Sequence, residues 1–186
     1  MTYALLLANA VVFLIEVRAG VRFVEAYALW PLGPQFHLWQ ILTSAFLHGS
    51  LVHLAMNLFG LWMFGRDVER ALGSARFVEL YLVSAVTASV TQLLVTAALA
   101  QRVPTLGASG ALFGVLAAYG WLFPRRVILM LFPPIALPAP LFVLAYAALE
   151  LFSGVFGTQQ GVAHFAHLGG LAGGFLLLWH WRARPR

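Results

Sequence analysis

The chain has 186 residues, 62% of them hydrophobic and 9% charged, with a mean hydropathy of +0.89. Soluble domains carry about 25% charged residues, so the composition excludes a soluble globular domain and indicates an all-α polytopic membrane protein, one domain over residues 1–186. The net charge of +5 comes from arginine alone, but no basic run is interleaved with aromatics on a polar face, which argues against a nucleic-acid partner. Without cysteine there is no disulfide, thiolate nucleophile or cysteine metal site.

Six apolar segments are expected to form helices. The first covers about residues 3–17 and reads as a retained helix, because no basic n-region precedes it and Ala8-Asn9-Ala10 follows too short a core for signal cleavage. A long half-apolar connection follows, holding Trp30-Pro31-Leu32-Gly33-Pro34 and Trp39. The second segment covers about 50–64, the third 77–98, the fourth 109–123, the fifth 140–156 and the sixth 161–181. Between the fourth and fifth, residues 127–137 include Pro133 and Pro134, so a re-entrant or interfacial connection is expected there instead of a span.

Arginine placement sets the orientation. Arg66, Arg70, Arg76, Arg125, Arg126, Arg182, Arg184 and Arg186 fall on one side of a six-span bundle, and Arg18, Arg22 and Arg102 on the other. Positive charge favours the cytoplasmic face, which places both termini there. The six tryptophans fall mostly near span ends, as interfacial aromatics do.

With orientation set, helix rise gives depth. At about 1.5 Å per residue, Ser109 lies roughly 24 Å from Arg125, His167 roughly 22 Å from Arg182, and His53 roughly 20 Å from Arg66. Polar side chains in a membrane usually face the protein interior or a water-filled cavity. Three of them at one depth, on three helices, suggest a shared site in the outer half of the bilayer.

The local patterns point the same way. Ser109 sits in Gly107-Ala108-Ser109-Gly110, a small-residue cluster that could equally be a helix-packing surface. Gly110 and Gly114 form one GxxxG, and Gly170 and Gly174 form another beginning one turn after His167. Close packing of these two faces would bring His167 beside Ser109, a nucleophile with its base. His53 and Asn57 share a helix face at i,i+4, and with the Ser109 backbone N–H they could donate to an oxyanion. His48 lies near the start of that helix and off that face. No HExxH is present and no acidic residue accompanies the span-two histidines, so no metal or other cofactor is expected. Glu79 and Glu150 lie in the third and fifth segments as structural hydrogen-bonding groups, and no acidic third catalytic member stands out. His37, His164 and His180 have no assigned role.

Gly107-Ala-Ser109-Gly110, the His48–His53–Asn57 spacing, and Ala166-His167-Leu-Gly-Gly170 followed by Gly174 together resemble the rhomboid intramembrane serine proteases. The resemblance runs from the Trp39 region to the C-terminus. It implies a six-transmembrane-helix rhomboid-like bundle with Ser109 as nucleophile, His167 as general base, His53 and Asn57 as oxyanion donors, and His48 supporting them. Phe113 corresponds to an aromatic that packs on the catalytic histidine, often tyrosine in the family. Gln40 stands after Trp39 where the family often has arginine, a departure that bears on the first loop and not on the catalytic centre. The form expected is a minimal one, with neither a soluble N-terminal domain nor a seventh helix.

The resulting expectation is a serine endopeptidase of the bacterial inner membrane. Its site would open outward, and its partners would be transmembrane protein substrates and membrane lipids. Two other classes compete. A catalytically silent chaperone or adaptor relative would typically lack the serine or the histidine. A small-solute channel or transporter would distribute polar groups across the bilayer instead of gathering them at one depth.

Overall fold

The computed structural model describes residues 1–130, 134–157 and 163–183. Arg184 and Arg186 of the charge count, Pro133 of the 127–137 connection and Gly161 at the expected start of the sixth segment lie outside those residues. All six apolar segments contain helix. In chain order they are α1 (Thr2–Ala19), the continuous helix Leu51–Leu72, α6 (Ser74–Ala98), α7 (Ser109–Leu122), α8 (Ala139–Phe156) and α9 (His164–Ala183). Within Leu51–Leu72, α4 (Leu51–Gly60) and α5 (Arg66–Leu72) are joined through a π-helical stretch, Leu61–Gly65, without leaving helical dihedrals. The short helices α2 (Val21–Tyr27) and α3 (Gln40–Thr43) lie in the first connection.

Length and composition alone qualify fewer helices as spans than the six expected. α1, α6 and α8 are each long and apolar enough to cross a membrane, and the pair Gln40–Phe46 with Leu51–Leu72, bent by 93°, adds a fourth if counted as one span. Two reasons are visible for the rest. The 14 residues of α7 reach only about 21 Å against a hydrocarbon core of about 30 Å. The histidines and glycines of α9 lower its hydropathy.

The segment expected to be a re-entrant or interfacial connection contains a pair of short strands. β1 (Val127–Leu129) pairs antiparallel with β2 (Ala136–Pro138), Val127 opposite Pro138 and Leu129 opposite Ala136. β-branched Val127 and Ile128 favour the extended backbone, and Pro138 closes the ladder, where its missing N–H costs nothing.

Side-chain distribution explains why this chain suits lipid. On α1 the buried residues are Thr2, Asn9 and Glu16, while Tyr3, Leu7, Leu14 and Val17 are exposed. On α8, Glu150 and Ser153 are buried while Leu144, Leu151, Phe152 and Phe156 are exposed. Apolar groups outside and polar groups inside is the arrangement a hydrocarbon solvent selects. α7 is buried almost all round, from Gly110 through Gly120 with the exception of Leu112, and is the centre of the bundle.

Small residues let α6, α7 and α9 close on one another. A Cβ added at Gly170 would lie 1.9 Å from the carbonyl oxygen of Gly110, and one at Gly174 would lie 2.7 Å from the Gly114 Cα. The two GxxxG faces therefore meet as expected. α6 supplies the third surface, with Ser84 and Ala88 against Gly114 and Gly110, and Thr87 and Thr91 against Gly173 and Gly169.

Charged groups gather at one end. Asp67 pairs with Arg70 and Arg126, Arg76 lies over Trp181, and Arg182 lies over Trp121. Beside them Glu69 ties the start of α1 to α5 and α6. Burial pushes its carboxyl up, but hydrogen bonds from the amino terminus, the Thr2 amide and hydroxyl and the Ser74 hydroxyl outweigh that and hold it at about 2.

The first connection is organised by Gln40, which is fully buried. Its Oε1 accepts from the backbone N–H of Trp30 (3.3 Å) and His37 (3.1 Å), and its Nε2 donates to the carbonyls of Ala26 (3.3 Å) and Gln35 (3.0 Å). Gln40 is thus the hub of the loop.

Two stability predictions follow from these contacts. Gly170→Ala places a methyl inside the α7–α9 backbone contact and should destabilise by more than about 3 kcal/mol; an unchanged thermal midpoint in detergent would show that the helices can separate at no cost. Gln40→Leu keeps the volume but strands four backbone groups, for a loss of about 2–4 kcal/mol. A midpoint within error of the parent would remove Gln40 from the loop's framework.

Candidate active site

Each site residue is delivered by a different local device. Ser109 opens α7, so its backbone N–H is among the helix N-terminal donors that lack an intrahelical acceptor. The loop leading to it is pinned twice. Thr105 and Leu29 exchange backbone hydrogen bonds of 2.9 Å, and the Gly107 N–H donates to the Ser44 carbonyl at 2.9 Å. Gly107 has φ +134, and a Cβ there would stand 2.9 Å from His53 Nε2 and 3.5 Å from Ser109 Oγ. Glycine is therefore required both by the backbone and by the open space between imidazole and hydroxyl.

Ser50 caps α4, its Oγ accepting from the His53 N–H at 3.1 Å. This starts the helix so that His53 and, one turn on, Asn57 share a face. Asn57 is buried and donates one amide hydrogen to the His53 carbonyl at 3.0 Å, leaving its second N–H for another acceptor. His48 precedes the cap. It is buried, its ring edge-on to His53 with centroids 5.1 Å apart, and its backbone N–H donates to Glu16 of α1 at 3.0 Å.

The Gly110–Gly170 contact brings α9 against α7 with His167 Nε2 2.7 Å from Ser109 Oγ. Phe113, one turn after Ser109, stacks on the His167 ring at 4.5 Å and 6°. Behind it Tyr146 of α8 stacks on Phe113 at 5.1 Å and 12°. Ser109, His167, His53 and Asn57 all line one cavity of about 510 Å³. One flank of this cavity is apolar, built from Met56, Phe59 and Met63 on one side and Phe142 and Tyr146 of α8 on the other.

Two groups not identified from the sequence complete the constellation. Glu150 Oε2 lies 2.9 Å from His167 Nδ1 and 2.6 Å from His164 Nδ1. All three side chains are buried. The sequence contained a signal for Glu150, since a carboxylate inside an apolar segment is costly and marks a partner. Glu79 carried the same signal and is exposed on α6, so the signal did not discriminate between them. His37 is exposed and stacked on Trp39, and His180 is exposed near the end of α9. Neither belongs to the site.

Glu150, His164 and His167 each offer one metal-ligand atom, all within 4.8 Å of one another. They do not fit a metal. Ligands at about 2.1 Å from a tetrahedral ion stand roughly 3.4 Å apart, whereas both Nδ1–Oε2 separations are hydrogen-bond distances. The atoms converge on each other and leave no room for an ion between them.

Comparison with known proteins identifies the family. The family model described as the Rhomboid domain matches residues 35–184. Similar proteins include the mitochondrial Rhomboid protein 1 of Saccharomyces cerevisiae, 36% identical over 97% of this chain and 53% of the relative. The rhomboid protease GluP of Bacillus subtilis is 32% identical over 88% of this chain and 31% of the relative. The rhomboid protease GlpG of Klebsiella pneumoniae is 29% identical over 95% of this chain and 61% of the relative. The chain spans less than two thirds of the length of each. With the Rhomboid model matching most of its length and these relatives nearly all of it, the chain belongs to the rhomboid family.

Proposed function

We propose that this chain is an intramembrane serine endopeptidase that hydrolyses peptide bonds in or near the transmembrane segments of other proteins. The observation that carries the reading is the 2.7 Å approach of Ser109 Oγ to His167 Nε2 at the wall of a cavity with an apolar flank. The names of GluP and GlpG as proteases support it.

In this mechanism the Ser109 hydroxyl proton passes to His167 Nε2 as Oγ bonds to the scissile carbonyl carbon. The carbonyl π pair moves onto oxygen, where the Ser109 N–H, the free Asn57 amide hydrogen and His53 donate to it. Each such donor is worth about 3–4 kcal/mol in the transition state. Collapse breaks the C–N bond, and the leaving amine takes the proton from Nε2. Water then attacks the acyl-enzyme with the same imidazole as base, and Ser109 is regenerated. General-base help of this kind contributes on the order of 10²–10⁴-fold.

Orientation is part of the proposal. Arg66, Arg70, Arg76, Arg125, Arg126 and Arg182 support a six-span arrangement with both termini on the cytoplasmic side and the cavity facing the opposite side. The short α7 lets water reach Ser109 from that side. Relatives named from both bacteria and a mitochondrion mean that family membership does not select the bacterial inner membrane. Helical substrates hide their carbonyls in hydrogen bonds, so segments with helix-breaking residues should be cleaved best.

A serine-reactive fluorophosphonate should label the detergent-purified chain, with labelling lost in Ser109→Ala and sharply reduced in His167→Ala. Equal labelling of parent and Ser109→Ala would sink the reading, in favour of a non-catalytic binding protein. Asn57→Ala should lower turnover of a cleaved membrane segment about 10²-fold with its thermal midpoint little changed. Undiminished turnover would take Asn57 out of the oxyanion site.

A further inference from the structure

Among the described residues, the carboxylate of Glu150 is the one buried acidic group against the Ser109–His167 pair, and its geometry is specific. A single oxygen, Oε2, meets two imidazoles, at 2.9 Å from His167 Nδ1 and 2.6 Å from His164 Nδ1. With Glu150 ionised the carboxylate only accepts hydrogen bonds, and both Nδ1 atoms then carry their hydrogens. For neutral His167 that leaves Nε2 with a lone pair, directed at the Ser109 hydroxyl 2.7 Å away. The opposite tautomer would set a lone pair against the carboxylate and an N–H against the hydroxyl, and the histidine could not act as a base.

We propose that Glu150 is a positioning residue that fixes the His167 tautomer and supports the imidazolium formed during acyl transfer, so that the site works as a serine–histidine–glutamate triad and not as a dyad. The proposal rests on the reading of Ser109 and His167 as the catalytic pair. Two orthogonal restraints then hold the ring. Phe113, backed by Tyr146, sets its plane by stacking, and Glu150 sets its rotation within that plane. His164 restrains the carboxylate in turn, taking the same oxygen from the neighbouring turn of α9. Tyr146 and Glu150 lie four residues apart on α8, so one helix face supplies both restraints.

The proton account is simple. The Ser109 proton moves to His167 Nε2, Nδ1 keeps its own hydrogen, and Glu150 stays ionised throughout. The positive charge created on the ring appears 2.9 Å from a negative one in a buried environment, where the attraction is far stronger than in water.

The test separates inactivation rate from probe affinity in the full chain, using a fluorophosphonate. Glu150→Gln should lower the inactivation rate constant on the order of 10²–10⁴-fold and leave the half-saturating probe concentration within about twofold, because the carboxylate touches the base and not the probe. ¹⁵N NMR of the histidine-labelled parent chain, with His167 identified from its absence in His167→Asn, should show the Nδ1–H tautomer at neutral pH. That measurement decides the question even if the Glu150 variant fails to fold. A Glu150→Gln rate within threefold of the parent, with labelling still dependent on Ser109, would overturn the triad and leave the protease reading intact. An Nε2–H tautomer for His167 would do the same. Labelling independent of Ser109 would remove both.

Discussion

The backbone contact between Gly110 and Gly170 is the constraint on which the rest depends. No side chain separates α7 from α9 at that point, and even a methyl would stand 1.9 Å from a carbonyl oxygen. In a lipid solvent there is little hydrophobic force to drive helices together, so close packing through small residues must supply the association. The same closeness fixes the distance between Ser109, at the start of one helix, and His167, one turn before Gly170 on the other. One set of glycines sets both the helix packing and the Ser109–His167 distance.

Around that contact the protein is built inside out. Thr2, Asn9 and Glu16 on α1, Ser84, Ser89 and Gln92 on α6, and Glu150 and Ser153 on α8 face inward, while leucine, valine and phenylalanine cover the outside. A buried polar group in such a protein needs a specific partner, because neither lipid nor apolar core can satisfy it. Glu150 finds two imidazoles. Gln40 finds four backbone groups and makes a long, irregular connection into a fixed one. That connection then holds Leu29 against Thr105 and so steadies the loop that ends at Ser109.

Much of this was legible in the sequence. The paired GxxxG motifs were enough to predict which two helices meet, and the residues grouped by helix rise, Ser109, His167 and His53, line one cavity. Five of the six helical segments lay close to their expected limits, while the second ran on from the expected 64 to Leu72 through Arg66 and Asp67. Three features were not legible. The pairing of 127–129 with 136–138 was not legible because so short an apolar run, read as a connection from Pro133 and Pro134, carries no period long enough to separate strand from loop. The number of helices that qualify as spans was not legible, although the shortness of α7 was. The role of His164 was invisible because its partner lies on another helix.

What the sequence determined by itself is what depends on spacing along one helix: the shared face of His53 and Asn57, the turn between Ser109 and Phe113, the glycines beside His167. Local geometry converts such spacings directly into positions. Tertiary structure alone decided which of two buried-looking glutamates meets the histidines. Glu79 and Glu150 are both carboxylates in apolar runs, but Glu79 is exposed near the start of α6 and Glu150 is buried well inside α8. That difference is set by packing among several helices at once, and no single segment encodes it. The acidic partner of His167 therefore emerges only when α8 and α9 are brought together.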